Sequence, residues 1–193
     1  MTSKRFSFKY GRTEVQFEVP EEQLLYVLTG RNREAPSDLI ATYRSALDHP
    51  KDSPPLRELV RPGESVLITV SDITRGWQRN DLLMPALLDY LNDAGVSDKD
   101  ITIAIAVGAH RFNTPDEFVE LCSEEVCHRV KVVNHDCYDY DKMDYYGKTS
   151  RGTEVWLNGL IRTHDRLITT GSVIYHYTVG YGGGRKSVMP GLS

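Results

Sequence analysis

The sequence predicts an α/β fold: a Rossmann-like, doubly wound, mainly parallel sheet with helices on both faces, preceded by an N-terminal β-hairpin. Three observations carry this. From Val66 onward, short β-branched runs alternate with helical patterns, the mark of βαβ units. One of those runs, Ile101 to Val107 (ITIAIAV), is apolar at every position but Thr102, close to the continuous apolar pattern of a strand buried on both faces of a sheet. The opening segment, Arg5 to Val19, alternates apolar and polar residues on both sides of Tyr10-Gly11-Arg12, the pattern of a hairpin turning at Gly11. Residues 1–193 read as a single α/β domain, with residues 1–20 as a hairpin decoration.

Taken in order, the hairpin is followed by a helical pattern between Pro36 and Leu47, where Leu39, Ile40, Tyr43 and Leu47 recur at helical spacing; the turn-rich HPKDSPPL then ends it. Val66 to Val70 (VLITV) is a strand. Leu83, Leu87, Leu88 and Leu91 line one face of a helix that Gly95 closes, with Pro85 expected in its first turns or at a kink. After the ITIAIAV strand, Thr114-Pro115-Asp116-Glu117 combines an N-cap Thr, an N1 Pro and an N3 Glu, which opens a helix running through Phe118 and Leu121. Arg129 to Val133 and Arg166 to Thr170 are two further strands.

Charge and composition narrow the function. With 23 Lys and Arg against 27 Asp and Glu, the net charge is −4, which argues against a general nucleic-acid binder. No apolar run approaches the roughly 18 residues of a membrane span, and the first twenty residues lack the apolar core of a secretory signal, so the expected compartment is the cytoplasm. The three cysteines, Cys122, Cys127 and Cys137, contain no C-x-x-C pair. They are expected to be reduced, and with His128 and His135 they fit no familiar zinc spacing.

In a doubly wound sheet, ligands bind beyond the carboxyl ends of the strands. The strand ends here carry Ser71-Asp72-Ile73-Thr74-Arg75, Gly108-Ala109-His110-Arg111, Asn134-His135-Asp136 and Gly171-Ser172 through His176-Tyr177. Each cluster alone could be a turn or a capped loop; four on one rim point to chemistry. His110 and His176 suit reversible proton transfer, because imidazole titrates near neutral pH. Arg75 and Arg111 suit a carboxylate or phosphate through the planar guanidinium fork, so the substrate implied is a small anion.

The segment Gly180-Tyr181-Gly182-Gly183-Gly184-Arg185-Lys186-Ser187 is a glycine-rich loop with two cations. It is not a Walker A loop, since Arg185 stands where a Gly should precede the Lys, and Pro190 follows too soon for the required helix. Its glycines would still let backbone N–H groups approach a phosphate, with Lys186 beside it as cation or nucleophile.

These motifs together resemble the nickel-dependent lactate racemases and their relatives acting on other 2-hydroxy acids. The resemblance runs through Ser71-Asp72-x-Thr74-Arg75, Gly108-x-His110-Arg111, Asn134-His135-Asp136, Thr149-Ser150-Arg151-Gly152-Thr153-x-Val155-Trp156, and His176 followed by Gly183-Gly184-Arg185-Lys186-Ser187-x-x-Pro190-Gly191. Where the family pattern has prolines after the first Thr-Arg, this chain has Gly76-Trp77-Gln78. The resemblance implies a nickel-pincer nucleotide, a pyridinium mononucleotide with two sulfur-bearing carboxyl groups and nickel. The cofactor would be bound by Gly183, Gly184 and Arg185 and joined to Lys186 through a thioamide. It implies His110 and His176 as acid and base on the two faces of a lactate-like acid, and Arg75 with Asp72 around the substrate carboxylate. One histidine takes the hydroxyl proton while the Cα hydride moves to the cofactor and back.

It further implies a second domain of the same polypeptide, and a nickel-ligating histidine beyond Pro190-Gly191. None of the six histidines here takes that place by motif, so no residue of this chain is assigned to metal, and the 193-residue chain alone is expected to be inactive. The strand-end rim, which that second domain would cover, is then a surface for homo-oligomer contacts. Two other readings remain open at this point: a non-catalytic domain that binds a nucleotide or phosphorylated metabolite, and an epimerase of a sugar acid. The paired His110 and His176 separate catalysis from binding alone.

Overall fold

The structure, a computed structural model, describes residues 2–31 and 34–193. The chain divides into two compact units, Met1–Pro36 and Ser37–Ser193. In the first, β1 (Ser3–Tyr10) and β2 (Thr13–Pro20) form the antiparallel hairpin, turning at Gly11 and Arg12. Its register places Phe6 opposite Phe17 and Phe8 opposite Val15. One face therefore carries the aromatic stack of Phe6, Phe8 and Phe17, while Arg5 pairs with Glu18 on the other.

The second unit opens with α1 (Leu39–Asp48), whose N-cap Asp38 accepts from the Ala41 N–H at 2.8 Å, and the short α2 (Leu56–Leu59), which begins right after Pro54-Pro55. Then come β3 (Val66–Ser71), α3 (Asn80–Asp93), β4 (Ile101–Ala106), α4 (Pro115–Cys122), α5 (Glu124–Arg129) and β5 (Lys131–Asn134). A hairpin of β6 (Met143–Lys148) and β7 (Glu154–Asn158) leads to α6 (Leu160–Thr163), β8 (Arg166–Thr169) and a two-residue pair, β9 (Tyr175–His176) with β10 (Gly180–Tyr181). Pro85 lies within α3, α4 runs through Phe118 and Leu121 as the sequence reads it, and Ser123, with φ 80°, separates it from the further short helix α5.

The central sheet has the order β5-β4-β3-β8, and every pairing is parallel. The chain steps outward from β3 to β4 and β5, then returns to the other side of β3 with β8. The direction of winding reverses between β3 and β8, which opens a crevice beyond their carboxyl ends. Side chains of one sheet face, among them Val66, Ile68, Val70, Ile103 and Ile105, pack on Met84, Leu87, Leu88 and Leu91 of α3 and on Leu121 and Val126 of α4 and α5. The opposite face is covered more thinly: Leu67 and Ala104 meet Leu192, with Leu160 and Ile161 of α6 beside them. Among the described residues no helix is long and apolar enough to cross a membrane.

The thin face is closed by the C-terminal turn, held by several polar ties. Gly108 N–H donates to the Gly191 carbonyl at 3.0 Å and Asn158 N–H to the Leu192 carbonyl at 2.8 Å. His135 is wholly buried; its Nδ1 accepts from the Asn158 amide at 2.9 Å, so Nε2 carries the proton that points to the Ser193 carbonyl at 3.3 Å. Desolvation pushes the His135 pKa below its ordinary value, and the ring is neutral. Its position after β5 suggests a rim histidine facing ligand, but in the folded chain it is part of the packing.

Candidate active site

A cavity of about 220 Å³ lies over the crevice, with walls from the segments that follow β3, β4 and β8 and from the glycine loop. The segment after β3 is a 3₁₀ turn, Ile73–Gln78, capped by Asp72 and kinked at Arg75. Asp72 is buried beneath it. One carboxylate oxygen accepts from the Thr74 N–H at 3.0 Å and from the Thr74 hydroxyl, and the other accepts from Nδ1 of His110. Adjacent parallel strands make this contact possible: Ser71 at the end of β3 is in register with Ala106 at the end of β4, so the two following segments leave the sheet side by side.

The pairing decides the tautomer of neutral His110. A carboxylate only accepts, so Nδ1 bears the proton, and neutral His110 offers the lone pair of Nε2. Its side chain remains 56% exposed, whereas that of Asp72 is 5% exposed. Arg75, also on the cavity wall, rests its guanidinium on the carbonyl and hydroxyl of its neighbour Thr74 at 3.3 and 2.9 Å. Both partners are neutral, which leaves the cation available to an anion.

His176 sits on β9, half-buried, and also lines the cavity. Its Nδ1 accepts from the Thr178 N–H at 3.2 Å, with the Thr178 hydroxyl at 3.0 Å, and the ring stacks on Tyr177. The glycine loop closes the same cavity. At Gly183, φ is 69°, and a Cβ there would come within 3.1 Å of the Ser172 carbonyl oxygen, so only a bare backbone lets the loop lie against the β8 segment. A 3₁₀ turn, Gly184–Ser187, follows and carries Lys186 onto the wall, while Gly184 and Arg185 face outward and do not line the cavity. Gly108 takes φ 54° where the end of β4 presses on the Pro190 carbonyl, which joins the His110 segment to the end of the loop.

Seven of the positions the sequence points to thus fall into two groups. Asp72, Arg75, His110, His176, Gly183 and Lys186 share one cavity; Arg111 does not. Its guanidinium forms two bonds, 2.7 and 2.6 Å, to Glu117, the N3 residue of the α4 capping box, and is committed to that helix. Gln78 also lines the cavity, although the sequence marks it only within a departure from the family pattern. It ends a kinked turn too short to leave a hydrophobic periodicity in the sequence.

Residues 10–193 match the family described as Lactate racemase N-terminal domain. The chain belongs to that family. It is 27% identical over 189 residues to the lactate racemase of Thermoanaerobacterium thermosaccharolyticum, covering 95% of this chain and 43% of the relative. It is 33% identical over 152 residues to the lactate racemase of Lactiplantibacillus plantarum, covering 79% of this chain and 35% of the relative. The solved lactate racemase apoprotein from T. thermosaccharolyticum superposes with a TM-score of 0.81 at 26% identity over 98% of this chain and 44% of that one. The chain therefore spans less than half the length of these lactate racemases.

Proposed function

We propose that this lactate racemase family domain contributes the acid–base residues of an enzyme that interconverts the two configurations at Cα of a small 2-hydroxy acid, using a nickel-pincer nucleotide held at Lys186. The observation that carries the reading is the convergence of two differently seated histidines and one uncommitted arginine on a single cavity at the winding reversal of the sheet. Neither a nucleotide-binding nor a purely structural role calls for that pair.

The glycine loop fits such a cofactor. Its backbone lies bare against the Ser172 carbonyl, as the contact at Gly183 requires, and Lys186 is half-buried on the same wall. Gly182, Gly183 and Lys186 would hold the group, which when bound supplies an acceptor for hydride. The chain's own residues do the rest. Arg75 grips the carboxylate and fixes the orientation of Cα. His110, proton on Nδ1, takes the hydroxyl proton at Nε2, and the Asp72 carboxylate stabilises the imidazolium that results. His176, reaching the cavity from another segment, serves the opposite configuration, giving or taking a proton at its own Nε2. The three unpaired cysteines accord with a reducing compartment, and we propose the cytoplasm.

Two measurements test this. The intact protein purified from cells able to make the cofactor should carry added mass and nickel, both lost in Lys186→Ala. Racemisation followed by polarimetry in the cofactor-loaded enzyme should fall by about 10²-fold or more in each of His110→Ala and His176→Ala. Turnover near wild type in either variant would overturn the assignment.

A further inference from the structure

Among the described residues, two buried side-chain oxygens have no hydrogen-bond partner: Thr69 Oγ1 and Gln78 Oε1. Thr69 lies inside the sheet on β3. Gln78 is different, because it forms part of the cavity wall. A buried amide left unpaired is costly, and such groups in folded proteins usually have a partner that completes them. Gln78 lines the cavity, and a turn about χ3 can offer either end of its amide to an occupant.

The backbone explains why this residue reaches the site. Asp72 caps the turn Ile73–Gln78, Arg75 kinks it, and Gln78 ends it. All three line the cavity, whereas Trp77 points to solvent. Arg75 and Gln78 reach the same cavity from this one short turn. A carboxylate on Arg75 leaves the rest of the same molecule inside a cavity that Gln78 also lines. Lactate has only a methyl group to place there.

We propose that Gln78 is a specificity-determining residue that hydrogen-bonds a hydroxyl on C3 or beyond, so that the acid this site prefers is a polyhydroxy 2-hydroxy acid. The inference rests on the reading of Arg75 as carboxylate anchor. A site built around a polar partner discriminates strongly against an analogue that lacks it, since the protein group is then left unpaired. A methyl group in place of the hydroxyl leaves the amide as it stands in the free protein.

The test is an NMR titration of the 15N-labelled chain with lactate, glycerate and threonate, acids that share the carboxylate and the 2-hydroxyl and differ beyond them. Glycerate or threonate should bind at least about tenfold more tightly than lactate, and should move the Gln78 side-chain amide signals where lactate does not. In Gln78→Met, nearly equal in shape but without the amide, the preference should collapse towards unity; in Gln78→Asn part of it should return. Arg75→Ala should weaken all three acids alike. Equal affinity for the three acids in a chain that still depends on Arg75 would overturn the assignment of Gln78 and leave the carboxylate site standing. Binding that ignores Arg75 would overturn both. A preference that survives in Gln78→Met would place the hydroxyl elsewhere on the wall and also overturn it.

Discussion

The two cavity histidines differ in what holds their Nδ1 atoms. For His110 it is the Asp72 carboxylate, an acceptor that can only leave the proton on Nδ1. For His176 it is the Thr178 N–H, a donor, with the Thr178 hydroxyl beside it able to accept instead. Neutral His176 seated on the N–H bears its proton at Nε2 and cannot act there as a base. Turning to the hydroxyl as acceptor frees Nε2, so Thr178 is expected to act as a positioning residue for proton exchange. Thr178→Val keeps the N–H and removes the hydroxyl. It should lower kcat about tenfold with little change in KM, and shift the pH profile of kcat; an unchanged profile would show that the hydroxyl is idle. Asp72→Asn reverses the partner of His110, offering it either an amide donor or a weaker neutral acceptor. Turnover should fall by about 10–100-fold while the far-UV spectrum and the melting temperature of the fold stay close to wild type.

At the scale of elements, α4 shows how local chemistry sets a boundary. Thr114 caps the Glu117 N–H at 3.3 Å, and the Glu117 carboxylate returns to the Thr114 N–H at 2.9 Å while holding Arg111. Arg111 first and then the Thr114 N–H hold the Glu117 pKa down at about 2. A carboxylate depressed in the folded state stabilises it above the unfolded pKa near 4.5, and that contribution is lost as pH falls from there towards 2. Glu117→Gln should therefore unfold at lower denaturant than wild type at pH 7, and the two midpoints should converge below pH 4.5. The start of α4 was legible in the sequence because its signal is confined to four consecutive residues. β3 and β4 were legible because burial on two faces leaves a run that is apolar but for a single threonine, Thr69 in one and Thr102 in the other. The β6–β7 hairpin was not, because a bulge between Tyr145 and Gly147 breaks the alternation that would reveal it. The site divides in the same way. Residue types at strand ends pointed to His110, His176 and Arg75, and the glycine-rich loop to Lys186, but the Asp72–His110 contact depends on the register of two strands, and Gln78 on a turn too short to leave a pattern. The burial of His135 depends on what the C-terminal turn packs against, and a buried histidine after a strand is spelled the same way as a reactive one.

For the molecule as a whole, the second face of the sheet rests on few side chains. Leu192 is fully buried there, and Leu192→Ala should cost about 2–5 kcal/mol of stability by urea unfolding. His135 couples that region to pH. Its folded pKa is depressed by burial, so above about 6.5 both states are neutral, whereas below it only the unfolded chain takes up the proton. Stability should thus drop as pH falls from 7 to 5.5, and the drop should be smaller in His135→Gln; equal slopes would remove His135 as the cause. The unlike seats of the two histidines have one more consequence, on the level of equilibrium. Mirror-image acids have identical free energies, so for a racemase the ratio kcat/KM must be the same from either hand, however lopsided the protein around them. An asymmetry such as Asp72 on one side and Thr178 on the other can then surface only as a trade between kcat and KM, the hand that binds more tightly turning over more slowly in strict proportion. If the acid carries a second stereocentre, the two forms are no longer mirror images, and that constraint gives way to the small energy difference between epimers.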